Sequence, residues 1–316
     1  MTDQHLDLPP IEVTPKDLSQ YRTGNRGVDY VHSFDSGRPG PHVIINGLTH
    51  GNEFCGMVAA CHLLDTGVRP LQGTLTVSFA NVAAYETFDP LRPFDSRQID
   101  HNFNRIWSPE WLDGDEDSVE LRRARTMRPV VAAADHILDI HSTSQDVVPF
   151  WVYPEFARNA RVASALPAPG VHLVMPQGLG SGMPVIQHGR HGQASSNAGA
   201  ALVAECGQHF KQSSADLAVQ VTLDFLGHFG LIDRPVRAAS QAPRRFELLQ
   251  THVVGHADFR FTRPLVGFET FAQGELIATD GDLAIHAPCD DCTVFMPTRE
   301  PIVGREGVYL TRPLGD

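Results

Sequence analysis

Hydrophobic and polar positions follow two textures along the chain. In the first, short apolar runs alternate with longer stretches of helical spacing. "HVIIN" (42–46) ends at Gly47 and predicts a buried strand. From 53 to 65 the apolar residues Phe54, Met57, Val58, Cys61 and Leu64 suit a helix, with Gly67 as its stop. "GTLTVSFAN" (73–81) is rich in β-branched residues and predicts the next strand. A further short strand is expected near 28–33. The stretch 118–134 predicts a helix with Ser118 as N-cap and a break or kink at Pro129. "HILDIH" (136–141), "VHLVMP" (171–176) and "ALVAEC" (201–206) predict strands, and 214–229 an amphipathic helix. Strands alternating with helices indicate an α/β domain, whose ligands gather at the carboxyl ends of its strands.

The second texture begins after about 240. "SQAPRR" reads as a linker, and short β-like runs then alternate with Gly, Pro and Asp turns. The expected organisation is an α/β domain over 1–240 and a small all-β domain over 241–316. Between 85 and 117 lies a long irregular stretch with Pro90, Pro93 and Pro109, and a loop of that length is usually functional.

Composition narrows the function classes. The 316 residues carry a formal charge of -12 and no basic run, which argues against a nucleic-acid partner. Five cysteines, an odd number in a long chain, do not make a secreted disulfide scaffold. "MTDQHLDLPP" lacks the basic segment and apolar core of a signal peptide, and no apolar run is long enough for a bilayer. The expectation is a cytoplasmic enzyme or binding protein with a small-molecule partner and no membrane partner. A homo-oligomer stays open.

Three polar clusters fall at predicted strand ends: 49–53, 141–144 and 205–209. His50 and Glu53 offer an imidazole and a carboxylate at three-residue spacing, which suits a zinc ion on residue type and equally suits a polar capping loop. His141 closes a strand, with Asp139 two residues earlier on the same face and placed to accept from a ligating imidazole. The alternative is a strand-end histidine satisfied by a nearby carboxylate. Glu205 follows an apolar strand and would be costly to bury without a role, either as a general base or in a structural ion pair. "SRQIDHNFNRIW" (96–107) brings Arg97, Asn104 and Arg105, which can hold a carboxylate or an oxyanion, or pair with the acidic run 113–117. "CDDC" (289–292) lacks the second pair that a structural zinc site needs, and reads as a turn. "PQGLGSGMP" has neither the lysine nor the spacing of a phosphate loop, so its glycines suit an active-site loop.

Taken together, these motifs resemble the succinylglutamate desuccinylase/aspartoacylase family, a branch of the zinc carboxypeptidase-like superfamily. "THGNE" is similar to its first zinc motif, "LDIHSTS" to the segment with the last zinc ligand, "RQIDHNFNRIW" to its arginine loop and "VAECGQH" to the segment with the catalytic glutamate. The tail resembles its small β domain. The resemblance implies a mixed-sheet α/β/α hydrolase domain followed by a small all-β domain that narrows the cleft. It implies one Zn²⁺ held by His50, Glu53 and His141. Glu205 would activate water and later protonate the leaving amine, and Arg97 would stabilise the oxyanion. Asn104 and Arg105 would hold a substrate carboxylate, with Arg190 and Tyr309 as further substrate-binding candidates. Asp139 would support the metal site by orienting His50. Two departures stand out. Asn102 occupies a position where the family has aspartate. The family's side-chain-reading arginine would fall near Ser195, and Arg190 and His191 lie out of register. The expected activity is therefore deacylation of an N-acyl amino acid other than N-acetylaspartate or N-succinylglutamate, or of a similar small carboxylate-bearing amide. A metallocarboxypeptidase and a non-catalytic ligand-binding protein are the alternatives.

Overall fold

A computed structural model describes residues 8–315. The N-terminal run read above for a leader peptide lies largely outside the described residues. In chain order come β1 (Val31–Asp35), β2 (His42–Gly47), α1 (Phe54–Asp65), β3 (Thr74–Phe79), α2 (Val82–Tyr85), α3 (Pro109–Leu112), α4 (Val119–Ala133), β4 (His136–Thr143), β5 (Phe150–Pro154), α5 (Ala157–Ala165), β6 (Val171–Met175), β7 (Ala201–Gln208) and α6 (Gln212–His228). The remainder is all strand: β8 (Arg244–Val253), β9 (Arg260–Phe261), β10 (Thr270–Phe271), β11 (Leu276–Asp280), β12 (Leu283–His286), β13 (Cys292–Phe295) and β14 (Glu306–Leu314).

One mixed sheet runs in the order β1-β3-β2-β4-β7-β5-β6-β8-β14-β13-β10, and β12-β11-β9 form a second, small sheet. Strands β2, β3, β4 and β7 are mutually parallel, so their carboxyl ends share one edge. Each central strand is buried on both faces, which is why it reads as an unbroken apolar run. Alternation still sorts its side chains. Val43, Ile45, Leu138, Ile140, Leu202 and Ala204 meet α1 and α6 on one face, while Ile44, Ile137, Ala201 and Val203 meet α4 on the other. The same alternation places Asp139, His141 and Glu205 on the α4 face, with His141 and Glu205 directly paired across β4 and β7.

The helix 119–133 passes through Pro129 without the expected break. Its N-terminus is capped as predicted, the Ser118 Oγ accepting from the Leu121 amide at 3.1 Å. The change of texture near 240 does not end the sheet. β8 pairs in parallel with β6, and β14 pairs with β8, so sheet hydrogen bonds cross from the α/β part into the C-terminal part. No helix among the described residues is long and apolar enough to cross a membrane.

Asp280 organises the C-terminal part. Its buried carboxylate accepts from the amides of Gly255 and His256, each at 2.7 Å, and from His252 Nε2 at 2.8 Å. Burial opposes its charge, but these donors hold it down to about 2 from its ordinary 3.8. A depressed carboxylate contributes stability above its ordinary pKa and loses it as pH falls through the folded value. Unfolding midpoints should therefore drop between about pH 4 and pH 2, and Asp280→Asn should flatten that acid limb in a melting series. An identical acid limb in the variant would show that other groups set it.

Candidate active site

The loop after β2 reaches the sheet edge because two glycines let α1 come close. A Cβ on Gly47 would stand 2.4 Å from the Gly56 carbonyl oxygen, and one on Gly56 would stand 2.9 Å from the Gly47 Cα. The chain then turns through Leu48, a buried bulky residue at φ +57°, where strain is tolerated only if the surroundings enforce it. That turn delivers Thr49, His50 and Glu53 against the end of β4.

His50, Glu53 and His141 converge there and are all buried, with ligand atoms within 4.8 Å of one another. His50 Nδ1 lies 2.7 Å from Glu53 Oε1, and His141 Nδ1 lies 2.9 Å from Glu53 Oε2. Tertiary contacts fix the tautomers. Asn102 Oδ1 accepts from the Asn104 amide at 3.0 Å, so it is a carbonyl oxygen, and His50 Nε2 must donate to it at 2.9 Å. Burial, helped by nearby Arg97, lowers the His50 pKa to about 4, so the ring is neutral and its Nδ1 lone pair faces the Glu53 carboxylate. Two acceptors that close require a positive centre between them. In His141, Nε2 lies 2.7 Å from Asp139 Oδ2. Burial disfavours a charged His141, yet Asp139 and Glu53 hold its pKa well above the imidazole range. The three side chains thus surround a place that calls for a proton or a cation, and the donor set suits a divalent ion such as zinc.

Glu205 faces this centre from β7. Burial pushes its carboxyl up to about 8; Glu53 and Asp139 add to the shift, while His141 and Arg97 oppose it. Its buried Oε2 has no protein partner, as expected for a group that meets water or substrate. Arg97 donates to Glu53 Oε1 at 3.1 Å and lines the same cavity.

Asp139 corrects an expectation. It orients His141, not His50, because the i, i+2 relation on β4 puts the two on one face. Its other oxygen accepts from Thr49 Oγ1 at 2.6 Å and Asn46 Nδ2 at 2.8 Å. Asn102, singled out only as a departure, is the residue that orients His50.

The substrate-binding candidates divide. Asn104, Arg105 and Tyr309 all line the cavity. Arg105 is already paired: its Nε and Nη2 donate to the two oxygens of Glu306, each at 2.7 Å, and Nη2 also reaches the Tyr309 hydroxyl at 2.9 Å. Glu306 went unnoticed in the sequence, where it is one acidic residue in a turn-rich tail. Arg190 is elsewhere. It donates to the Ala134 carbonyl and, at 3.1 Å, to Asp135 just before β4. That is the opposite end of the strand from His141, roughly 20 Å away at the rise of an extended chain. Ser195 is exposed and does not line the cavity. Leu179, Ser181, Pro184 and Ile186 do, so the glycine-rich segment contributes its first part and not its last.

A second missed residue holds the arginine loop. Glu120, at the start of α4, is 0% exposed. Its carboxylate accepts from the amides of Ile99 (2.7 Å), Asp100 (3.0 Å) and His101 (3.1 Å), and from Asn81 Nδ2 (3.1 Å). Arg97 and Asn102 flank those three amides. Glu120→Gln would set an amide nitrogen against backbone N–H groups and loosen the loop. Turnover of a substrate should fall by roughly 10- to 100-fold, since small misplacement of reacting groups is costly, while circular dichroism stays native. Wild-type turnover in the folded variant would remove this role.

Known proteins place the chain further. A model of the succinylglutamate desuccinylase/aspartoacylase catalytic domain matches residues 39–225. A Xenopus laevis protein named N-acyl-aromatic-L-amino acid amidohydrolase (carboxylate-forming) is 30% identical over 118 residues, which are 34% of this chain and 36% of that protein. The chain therefore spans about a third of that relative's length. Succinylglutamate desuccinylase from Chromobacterium violaceum has a similar fold, with a TM-score of 0.68 and 17% identity over 92% of this chain and 90% of that one. The enzyme of the same name from Vibrio parahaemolyticus gives a TM-score of 0.67 and 17% identity over 91% of this chain and 87% of that one. Matched by the family model over more than half its length, the chain belongs to the succinylglutamate desuccinylase/aspartoacylase family.

Proposed function

We propose that the protein is a zinc-dependent amidohydrolase that removes the acyl group from an N-acyl amino acid. The observation that carries this reading is the pair of imidazole Nδ1 atoms closing on the Glu53 carboxylate, with the unpartnered Glu205 oxygen facing the same cavity. His50, Glu53 and His141 would hold the ion. When bound, zinc would supply Lewis acidity and lower the pKa of water.

The chain's own residues account for the remaining steps. Glu205 takes a proton from water as the carbon–oxygen bond forms, its buried Oε2 being free of protein partners and facing the cavity. It then delivers the proton to the amine nitrogen as the carbon–nitrogen bond breaks. The products are a carboxylic acid and a free amino acid. Arg97 turns from Glu53 toward the oxyanion and stabilises it. Asn104 would orient the substrate carboxylate beside Arg105 through its Nδ2, because the Tyr309 O–H already donates to Glu306 Oε2 at 2.8 Å. Because Glu306 already balances Arg105, this end carries no net positive charge from that pair, and a substrate carboxylate here would be held by hydrogen bonds rather than by an ion pair with Arg105.

The side chain of the amino acid meets an apolar wall. Val203 of β7, Val152 of β5, Met175 of β6 and Ile186 of the helical turn Val185–Gln187 are buried and line the cavity. That wall favours an apolar or aromatic residue, in keeping with the activity named for the Xenopus laevis relative.

A panel of N-acyl amino acids and dipeptides, assayed on zinc-loaded protein, tests the reading. N-acyl phenylalanine or leucine should be hydrolysed, N-acetylaspartate and dipeptides poorly. Preference for dipeptides would establish a carboxypeptidase instead. Glu205→Gln should lower turnover by roughly 10²- to 10⁴-fold with zinc still bound, measured by metal content beside kinetics. A chelator should abolish turnover and added Zn²⁺ restore it.

A further inference from the structure

Resting on the deacylase reading, we infer that His209 is a further catalytic residue, whose Nε2–H donates to the oxygen of the scissile carbonyl and holds it as it becomes an oxyanion. His209 follows β7 and lines the cavity together with Glu53, Arg97, His141 and Glu205, yet none of the steps above uses it. The residue is 3% exposed. Its amide donates to the Thr143 carbonyl at 2.9 Å, which ties the end of β7 to the end of β4. Phe94 and Phe210 stand beside the ring, with centroids 6.0 and 5.7 Å away. Backbone and ring neighbours thus set the imidazole before any substrate arrives.

The two ring nitrogens differ in what they meet. Nδ1 lies 2.8 Å from Ser142 Oγ. Ser142 is buried, and its hydroxyl makes no other hydrogen bond among the described residues. A buried hydroxyl proton without an acceptor is costly, so Oγ–H donates and Nδ1 accepts. Burial lowers the ring's pKa to about 3, so the imidazole is neutral and its single proton sits on Nε2. Nε2 itself has no partner among the described residues. The same Ser142 ties the ring to the charged centre, because its amide donates to Glu53 Oε2 at 3.2 Å. A buried N–H without a protein acceptor, on a ring that lines the catalytic cavity, takes its acceptor from the substrate. Beside Glu53 and Arg97 that acceptor is the carbonyl oxygen next to the bond that breaks. Arg97 has to leave Glu53 to reach this oxygen, whereas the His209 donor is already free. A donor in place before the reaction needs no reorganisation when charge develops.

The test uses N-acetyl-L-phenylalanine as substrate. Its phosphonamidate counterpart, N-(methylphosphonyl)-L-phenylalanine, presents an anionic oxygen on a tetrahedral centre, and L-phenylalanine is the product ligand. Hydrolysis is measured on zinc-loaded protein, and binding of the last two by calorimetry. His209→Asn is too short to offer a donor at the Nε2 position, and His209→Gln reaches it. The Asn variant should lower kcat roughly 10²- to 10³-fold with KM nearly unchanged. Its phosphonamidate affinity should fall by a similar factor, while L-phenylalanine affinity and zinc content stay at wild-type values. The Gln variant should recover most of both losses. If the Asn variant does not fold, His209→Phe supplies the ring shape without the donor. Equal behaviour of the donor-bearing and donor-free variants, or phosphonamidate affinity unchanged without the donor, overturns the inference while the deacylase reading stands. If wild type hydrolyses no N-acyl amino acid, yet its phosphonamidate affinity is lost in the donor-free variant and kept in His209→Gln, the role of His209 stands and the deacylase reading falls. Wild type that neither hydrolyses the substrate nor binds the phosphonamidate overturns both.

Discussion

A buried carboxylate between two imidazoles is the constraint on which the site depends. Glu53 is 1% exposed, and both of its oxygens face ring nitrogens. An ionised carboxylate in such a place is tolerable only beside positive charge. The neighbours keep that demand in place. Asp139 fixes the orientation of His141, and Asn102 that of His50, so each ring turns Nδ1 toward Glu53. Ser142 adds its amide to Glu53 Oε2 at 3.2 Å. The polar groups around the centre are therefore committed to holding charge at one point.

Two further carboxylates act on the arginine loop in different ways. Glu120 gathers three consecutive amides and gives the loop its shape. Glu306 pairs with Arg105 and removes its net charge from the cavity, and the Arg105 and Tyr309 contacts hold its own pKa to about 2 against the effect of burial. Glu306 arrives on β14, at the far end of the chain. The C-terminal strands thus contribute to the electrostatics of the cleft. Strand pairing from β6 through β8 to β14 ties that placement to the α/β part.

Much of this was legible in the order of residues. A strand buried on both faces is an apolar run, and a polar residue at its end stands out. His50, Glu53, His141 and Glu205 could be found that way, as could the strands that carry them. The arginine loop was recognisable because its residues are contiguous. Elsewhere local pattern misled. Pro129 in the helix 119–133 suggested a break or kink, and the helix is not broken there. Arg190 was attractive only for being basic and near the expected register, whereas its position at the other end of β4 depends on how the segment 177–199 folds back. β5 and α5 escaped notice because "FWVYP" and the short helix after it carry weak turn signals.

Residue type and sequence spacing determined the strand-end histidines and glutamates of the cluster, the buried Glu205 and the α/β framework, because side-chain period and burial leave a direct imprint on composition. Tertiary structure alone decided which partner each histidine of the cluster receives. Asp139 serves His141 because they share a strand face, and Asn102 serves His50 because a distant carboxylate, Glu120, holds its loop in place. The pairing of Arg105 with Glu306 spans 201 positions and exists only because antiparallel β14 returns to the cleft. No local pattern encodes a contact whose two halves meet only after the sheet has closed.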